Sequence, residues 1–312
     1  MYKVLCPGEA LIDFVAVEAL GDLSLSNKFE KKAGGAPANA AGAMQKFGVE
    51  AYFMGAVGND PFGEFLKREL DKHNINTKFM HLIDNVPTTL AFVSLTKDGE
   101  RDFVFNRGAD AKLTLVEPAV LAEFDCMHFA SATAFLGDEL EKTYNQILEY
   151  ALANNKLVTF DANYREALFG DQKELFINNC LHYIKHSDIV KLSEEEAVLL
   201  TSNPDIIEAV TMLQRLNNKY VLITRGARGT SLFSPEGHTY IDTTPVQMVD
   251  STGAGDAYIG TVVALATQAE TLSVEKMIEI VKIANRVGAL TTQNYGALES
   301  IPTLSKLDLS SL

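Results

Sequence analysis

Positive charge is scarce in this chain of 312 residues: Lys+Arg number 27 against 41 Asp+Glu, a formal net charge of −14. A surface of that sign repels a phosphate backbone or an anionic leaflet over most of its area, which argues against nucleic acid and membrane as partners. Any anionic substrate must then be held by a local site working against the global field, through backbone amides or a few aimed cations. Cysteine is scarce too. Cys6, Cys126 and Cys180 lie far apart with no CxxC pair, so neither a disulfide framework nor a zinc cluster is suggested, and a reducing cytoplasm fits. Uncharged apolar runs of about 20 residues are missing. The opening Met1-Tyr2-Lys3-Val4-Leu5-Cys6-Pro7-Gly8 meets Pro and Gly before a signal-peptide core can form, so a soluble cytoplasmic protein is expected. Also missing are low-complexity linkers, fixed-period repeats, a GxxxxGK[ST] loop and a GxGxxG after the first strand, the last of which disfavours an NAD dehydrogenase.

What is present is globular: 47% hydrophobic and 22% charged residues. At roughly 100 to 200 residues per domain, the length suits two domains or one large α/β domain with an insertion. Short apolar runs at Lys3 to Cys6, Ala51 to Ala56, Cys126 to Ala130, Leu157 to Phe160, Ile189 to Leu192 and Tyr220 to Thr224 read as strands buried on both faces. Helical patterns alternate with them, which predicts βα units around a largely parallel sheet. One helix is expected from Pro37 to Phe47 and another from Pro61 with Asp60 as N-cap. Stripes through Leu140 to Ala151 and Met277 to Gly288 predict two more. Thr88 to Thr96 and Arg101 to Phe105 flank an Asp98-Gly99 turn and read as antiparallel structure. With Phe14 to Lys32, which lacks a helical stripe, they suggest a small β lid over the carboxyl ends of the strands, where open α/β sheets bind ligands.

Two stretches carry chemistry. Val249-Asp250-Ser251-Thr252-Gly253-Ala254-Gly255-Asp256 opens an apolar helical run, so its amides face outward at the positive end of a helix dipole and form an anion hole. A carboxylate at Asp256 stays ionised there and can accept a proton from a substrate hydroxyl as that oxygen attacks phosphorus. Taken alone, Asp256 would be a helix cap; the glycines beside it cost packing and entropy unless something approaches the backbone. Gly34-Gly35-Ala36-Pro37-Ala38-Asn39 also leads into a helix, with Asn39 offering donor and acceptor to hydroxyls. His182 and His186, spaced i, i+4, lack a third ligand nearby and read as a solvated helix face.

In this order, and together with Gly55-Ala56-Val57-Gly58-Asn59-Asp60-Pro61-Phe62-Gly63, these stretches resemble the two signature regions of the PfkB (ribokinase-like) family of carbohydrate kinases. The fructokinase branch is the nearest resemblance, through Gly8-Glu9-Ala10-Leu11-Ile12-Asp13, Phe160-Asp161-Ala162-Asn163-Tyr164-Arg165 and Lys191-Leu192-Ser193-Glu194-Glu195-Glu196. The resemblance spans the chain and implies one α/β kinase domain over 1–312, a Rossmann-type three-layer sandwich with a lid formed by about 14–33 and 86–108. It implies ATP-dependent phosphorylation of D-fructose to fructose 6-phosphate, with Asp256 as base and the amides of Gly253, Ala254 and Gly255 as anion hole. Asp13, Gly34, Gly35, Asn39, Arg107, Asn163 and Arg165 are the implied sugar or phosphate contacts. Lys191, Ser193, Glu196, Thr224, Gly226, Gly229 and Asn285 are the implied nucleotide-side residues, Ser193 and Glu196 standing where the family often has an Asn-x-x-Glu that organises Mg²⁺. Asp250 and Ser300 match a monovalent-cation site, which points to K⁺ besides Mg²⁺. A homodimer through the lid is expected. The alternatives are a kinase for 2-keto-3-deoxygluconate or another sugar, a nucleoside kinase, and a sugar sensor without turnover; the intact Gly253-Ala254-Gly255-Asp256 argues against the sensor.

Overall fold

The short apolar runs are strands whose alternate residues feed two separate cores. The computed structural model describes residues 1–17, 23–95, 101–115, 117–216 and 219–307. Its strands are β1 (Lys3–Pro7), β2 (Leu11–Ala16), β3 (Phe29–Gly34), β4 (Glu50–Gly58), β5 (Asn76–Ile83), β6 (Leu90–Leu95) and β7 (Arg101–Asn106). They continue with β8 (Cys126–Ala130), β9 (Leu157–Asp161), β10 (Ile189–Ser193), β11 (Tyr220–Thr224), β12 (Thr230–Ser234) and β13 (Gly237–Ile241). The first helices are α1 (Ala36–Lys46), α2 (Pro61–Lys72), α3 (Pro118–Leu121), α4 (Glu139–Ala153) and α5 (Glu166–Phe169). The rest are α6 (Lys173–His186), α7 (Glu194–Thr201), α8 (Ile206–Gln214), α9 (Ala254–Thr267) and α10 (Val274–Thr291).

A nine-stranded sheet runs β13-β12-β11-β10-β9-β8-β1-β4-β5. Its pairs from β5 through β11 are parallel, and β12 and β13 close one edge antiparallel. Because side chains alternate across a pleat, Val4 and Cys6 of β1 enter the core beneath α1, α9 and α10, while Leu5 enters the core against α4 and α6. The same division separates Ile189 from Val190 and Leu222 from Val221. Burial on both faces explains why these strands read as continuous apolar runs rather than as alternating ones.

The second sheet runs β3-β2-β6-β7. Its outer pairs are antiparallel, as expected, and β2 lies parallel to β6 at the seam where the two hairpins meet. Its first arm begins at Leu11, which brings Asp13 into the sheet. The expected Asp98-Gly99 turn lies outside the described residues. Phe14 seats this sheet on α2, stacking on Phe92 at 5.2 Å and meeting Phe62 edge-on at 5.8 Å. Asp60 caps α2 as expected, accepting from Phe62 N at 3.0 Å and Gly63 N at 2.9 Å. Among the described residues no helix is long and apolar enough to cross a membrane.

Candidate active site

Helix α9 is buried over most of its length, so its position is set by packing rather than by polar contacts. Gly260 lets the helix approach α1 closely: a Cβ there would stand 2.4 Å from the Ala40 carbonyl oxygen and 2.7 Å from Ala43 Cβ. This close crossing brings the first turns of the two helices together, and Asn39 Nδ2 donates to Asp256 Oδ2 at 2.8 Å. The two sequence stretches therefore meet at the carboxylate. Burial pushes the Asp256 pKa up from its ordinary value, while the Asn39 bond and the charges of Arg165 and Lys191 pull it back. Asn39 Oδ1 is buried and has no partner among the described residues.

The turn ahead of α9 is shaped by Gly253, the N-cap, at φ 74°. A Cβ at that position would meet Ala297 Cβ at 2.4 Å, so only glycine fits both the left-handed backbone and the contact. Asp250 anchors the turn from below: Oδ1 accepts from Thr252 N at 2.9 Å and Thr252 Oγ1 at 2.6 Å, and Oδ2 accepts from Gly296 N at 3.2 Å. The same segment after α10 carries Ser300, whose Oγ donates to the Tyr295 carbonyl at 3.1 Å. Ala254 N–H turns back on the Ser251 carbonyl at 3.3 Å. Gly253 and Gly255 face a cavity of about 570 Å³ beside Asp256.

Arg165, Asn163, Lys191, Ser193 and Glu196 complete the expected part of its wall. Asn163 takes a positive φ of 43° just beyond β9, and Arg165 leads into α5 with Nη1 donating to the Tyr164 carbonyl at 3.0 Å. Lys191 Nζ lies 3.0 and 3.1 Å from the two carboxylate oxygens of Asp161. Ser193 and Glu196 form a capping box on α7, and Glu196 Oε1 also accepts from Tyr164 N at 2.9 Å. The wall adds Lys173, at the start of α6, to the cations named above.

Gly34 ends β3 in register with Leu11 of β2, and Gly35 follows it into α1. A Cβ on Gly34 would stand 2.1 Å from Asp13 Oδ2, so the glycine leaves room for that carboxylate. Gly35 caps α1, and Ala36 N donates to Glu9 Oε1 at 2.9 Å. Glu9 is 1% exposed, and burial pushes its pKa up to about 8. Neither Glu9 nor Asp161 stands out in the sequence as more than part of a motif; the available signal was a carboxylate at the end of, or just beyond, an apolar strand. Arg107 is placed apart from the cavity wall, with Nε on Asp110 Oδ2 at 2.9 Å, Nη2 on the Thr133 carbonyl at 2.8 Å and Nη1 on Asp138.

The expected nucleotide loop follows β11. Thr224 Oγ1 donates to the Leu192 carbonyl at 3.3 Å; Gly226 at φ 55° and Gly229 at φ 83° bound a single 3₁₀ turn, held to α7 by Arg225 Nε on Glu194 Oε1 at 2.9 Å. Asn285 is 6% exposed and fully engaged: Oδ1 accepts from Thr230 Oγ1 at 2.6 Å, and Nδ2 donates to the Ile241 and Asp242 carbonyls at 3.1 and 3.0 Å. It joins α10 to the antiparallel edge of the sheet.

The pfkB family carbohydrate kinase model matches residues 1–304. The chain is 34% identical over 303 residues to fructokinase-1 of Zea mays, covering 95% of this chain and 93% of that one. It is 32% identical over 303 residues to the probable fructokinase-2 of Arabidopsis thaliana, covering 95% and 92%. Among solved structures, a Vibrio cholerae fructokinase double mutant with fructose, ADP and potassium ion bound superposes with a TM-score of 0.86 at 27% identity, over 98% of this chain and 96% of that one. An uncharacterised sugar kinase from Pyrococcus horikoshii in complex with ATP gives 0.85 at 30% identity, over 97% and 96%. Sequence and fold thus agree along nearly the whole length, and the chain belongs to the pfkB family of carbohydrate kinases.

Proposed function

We propose that this protein is an ATP-dependent fructokinase, converting D-fructose and ATP to fructose 6-phosphate and ADP. The observation that carries the reading is the Asn39-held carboxylate of Asp256 in the first turn of α9, beside Gly253 and Gly255 at a polar cavity. The curated relatives bear fructokinase names, and solved neighbours are described with fructose and ADP or with ATP. Asp256 takes the proton of the attacking hydroxyl. The main-chain amides of Gly253 and Gly255, with the helix dipole, offset the charge on the transferring phosphoryl group, while the Ala254 amide is engaged by the Ser251 carbonyl. Arg165 and Lys191 supply the local positive charge that a triphosphate needs on a chain of net charge −14. Asp13, Gly34, Gly35 and the unpartnered Asn39 Oδ1 face the sugar, beneath the small sheet acting as lid; Asn163 completes the phosphate-side wall. Thr224, Gly226, Gly229 and Asn285 shape the nucleotide side, Asn285 by fixing the edge strands rather than through a free polar group.

Mg²⁺ arrives with ATP, as in the Escherichia coli ribokinase II neighbour described with ATP and Mg²⁺. The oxygen-rich wall at Ser193 and Glu196 fits a hard cation held through water, since both Glu196 oxygens already accept main-chain N–H bonds. When bound, it would neutralise charge on the phosphates. Asp250, bonded to Gly296 N in the segment that also carries Ser300, and Ser300 itself offer the oxygen donors that suit K⁺. The whole chain works as one kinase domain in the cytoplasm, where its three buried free cysteines stay reduced. It pairs as a homodimer through the small sheet, where Val104 is 49% exposed.

A coupled ADP-release assay across fructose, 2-keto-3-deoxygluconate, ribose and adenosine tests the reading. Fructose is expected to give the highest kcat/KM. A higher value for any other acceptor reassigns the substrate, and ATP binding without turnover on the whole panel rejects the enzyme.

A further inference from the structure

A parallel strand buried on both faces is an unfavourable place for an ammonium group. On β10, Lys191 shares a face with Ile189, which packs in the core beneath α9, and its register neighbour on β9 is Asp161. The two side chains are 9% and 1% exposed. Desolvating such a pair costs several kcal/mol per ion before their attraction repays it, and apolar residues of similar volume often stabilise a core as well or better. The pair therefore calls for a reason other than stability.

The surroundings supply one. Lys191 lines the cavity, and its Nζ lies 3.4 Å from where Gly255 would carry a Cβ, so a side chain at 255 would crowd the ammonium. Asp161 grips Nζ from the sheet side at 3.0 and 3.1 Å. Glu196 and Asp256 also act on the same ammonium. Three carboxylates thus compete for one cation, and an unanchored Lys191 would be drawn onto Asp256 and mask it.

We propose that Asp161 is a positioning residue: it pins the Lys191 ammonium at the Gly255 end of the anion hole, where Lys191 contacts the polyphosphate of the nucleotide and stays off the Asp256 carboxylate. This rests on the kinase reading above. It assigns Asp161 a role in ATP use that acts wholly through Lys191, so the two residues form one functional unit.

The test is a double-mutant cycle on the full-length enzyme with Lys191→Met, Asp161→Asn and the combined variant. It reads kcat, KM for ATP, KM for fructose and Tm. Loss of a charge-assisted contact predicts that Lys191→Met lowers kcat/KM for ATP on the order of 100-fold, and Asp161→Asn by about 10-fold. KM for fructose stays within about twofold in all three variants. The combined variant is no worse than Lys191→Met alone, because Asp161 then has nothing left to place. It also keeps the fold testable if Asp161→Asn, which strands a buried ammonium, unfolds. The proposal is overturned if the combined loss equals the product of the single losses, or if Asp161→Asn lowers Tm and leaves kcat/KM for ATP at the wild-type value. Wild-type enzyme inactive on fructose but active on another acceptor sinks the substrate reading alone; the cycle is then read with that acceptor.

Discussion

Two carboxylates, the half-buried Asp256 and the buried Glu9, sit within electrostatic reach of each other and are held in opposite ways. Asp256 has an amide donor and nearby cations, so its ionised form is supported despite burial. Replacing it with Asn keeps the shape and removes the base, and kcat is expected to fall on the order of 100-fold or more with little change in nucleotide affinity. Unchanged turnover in a steady-state assay would exclude it from proton transfer. Because burial raises its pKa, the acid limb of the wild-type kcat profile should lie above the ordinary carboxylate range. Among the described residues Glu9 has no cationic partner. Its pKa rises from 4.5 to about 8, so between those values the folded protein holds a proton that the unfolded chain has released. The associated stability is complete below about pH 4.5 and is lost as pH climbs through about 8. Glu9→Gln should flatten that decline, by on the order of a few kcal/mol between about pH 5 and pH 9, in urea unfolding curves; parallel curves for the two proteins would show that Glu9 titrates normally.

Glycines and caps decide how elements meet. Asp60 joins α2 to the start of the small sheet, accepting from two helix amides and from Thr88 N at 2.8 Å and Thr88 Oγ1 at 2.7 Å. Asp60→Ala removes the cap and orphans the Thr88 donors, and a loss of about 2–4 kcal/mol in chemical denaturation is expected. A change within about 0.5 kcal/mol would show that water replaces every one of those bonds. This cap was readable from the sequence because Asp-Pro before an amphipathic stripe has one local meaning. The partners of Arg107 were not. The family resemblance makes it a sugar-contact candidate; its guanidinium also bonds Asp110, Asp138 and the Thr133 carbonyl, which lie along the chain where no local pattern links them. Asn285 is similar: a polar residue in a helix gives no hint that its three bonds end on β12 and the exit of β13.

At the scale of the molecule, the proposed pairing surface is the small sheet. A dimer through it predicts a sedimentation coefficient that falls toward the monomer value when Val104, half exposed on β7, is changed to Lys; a wild-type protein that sediments as a monomer at micromolar concentration would remove the pairing. The strand runs, the Asp60 cap and the two glycine-rich stretches were fixed by local pattern, because hydrophobic period and turn chemistry act over a few residues. So was the family, since its motifs are contiguous. Tertiary structure alone decided which charges face one another. Asn39 reaches Asp256 only because Gly260 lets α9 press against α1, and Lys191 reaches Gly255 only because β9 and β10 lie side by side with Asp161 and Lys191 in register. Such contacts join residues far apart in sequence, and their electrostatic weight comes from burial, which the linear order of residues does not reveal.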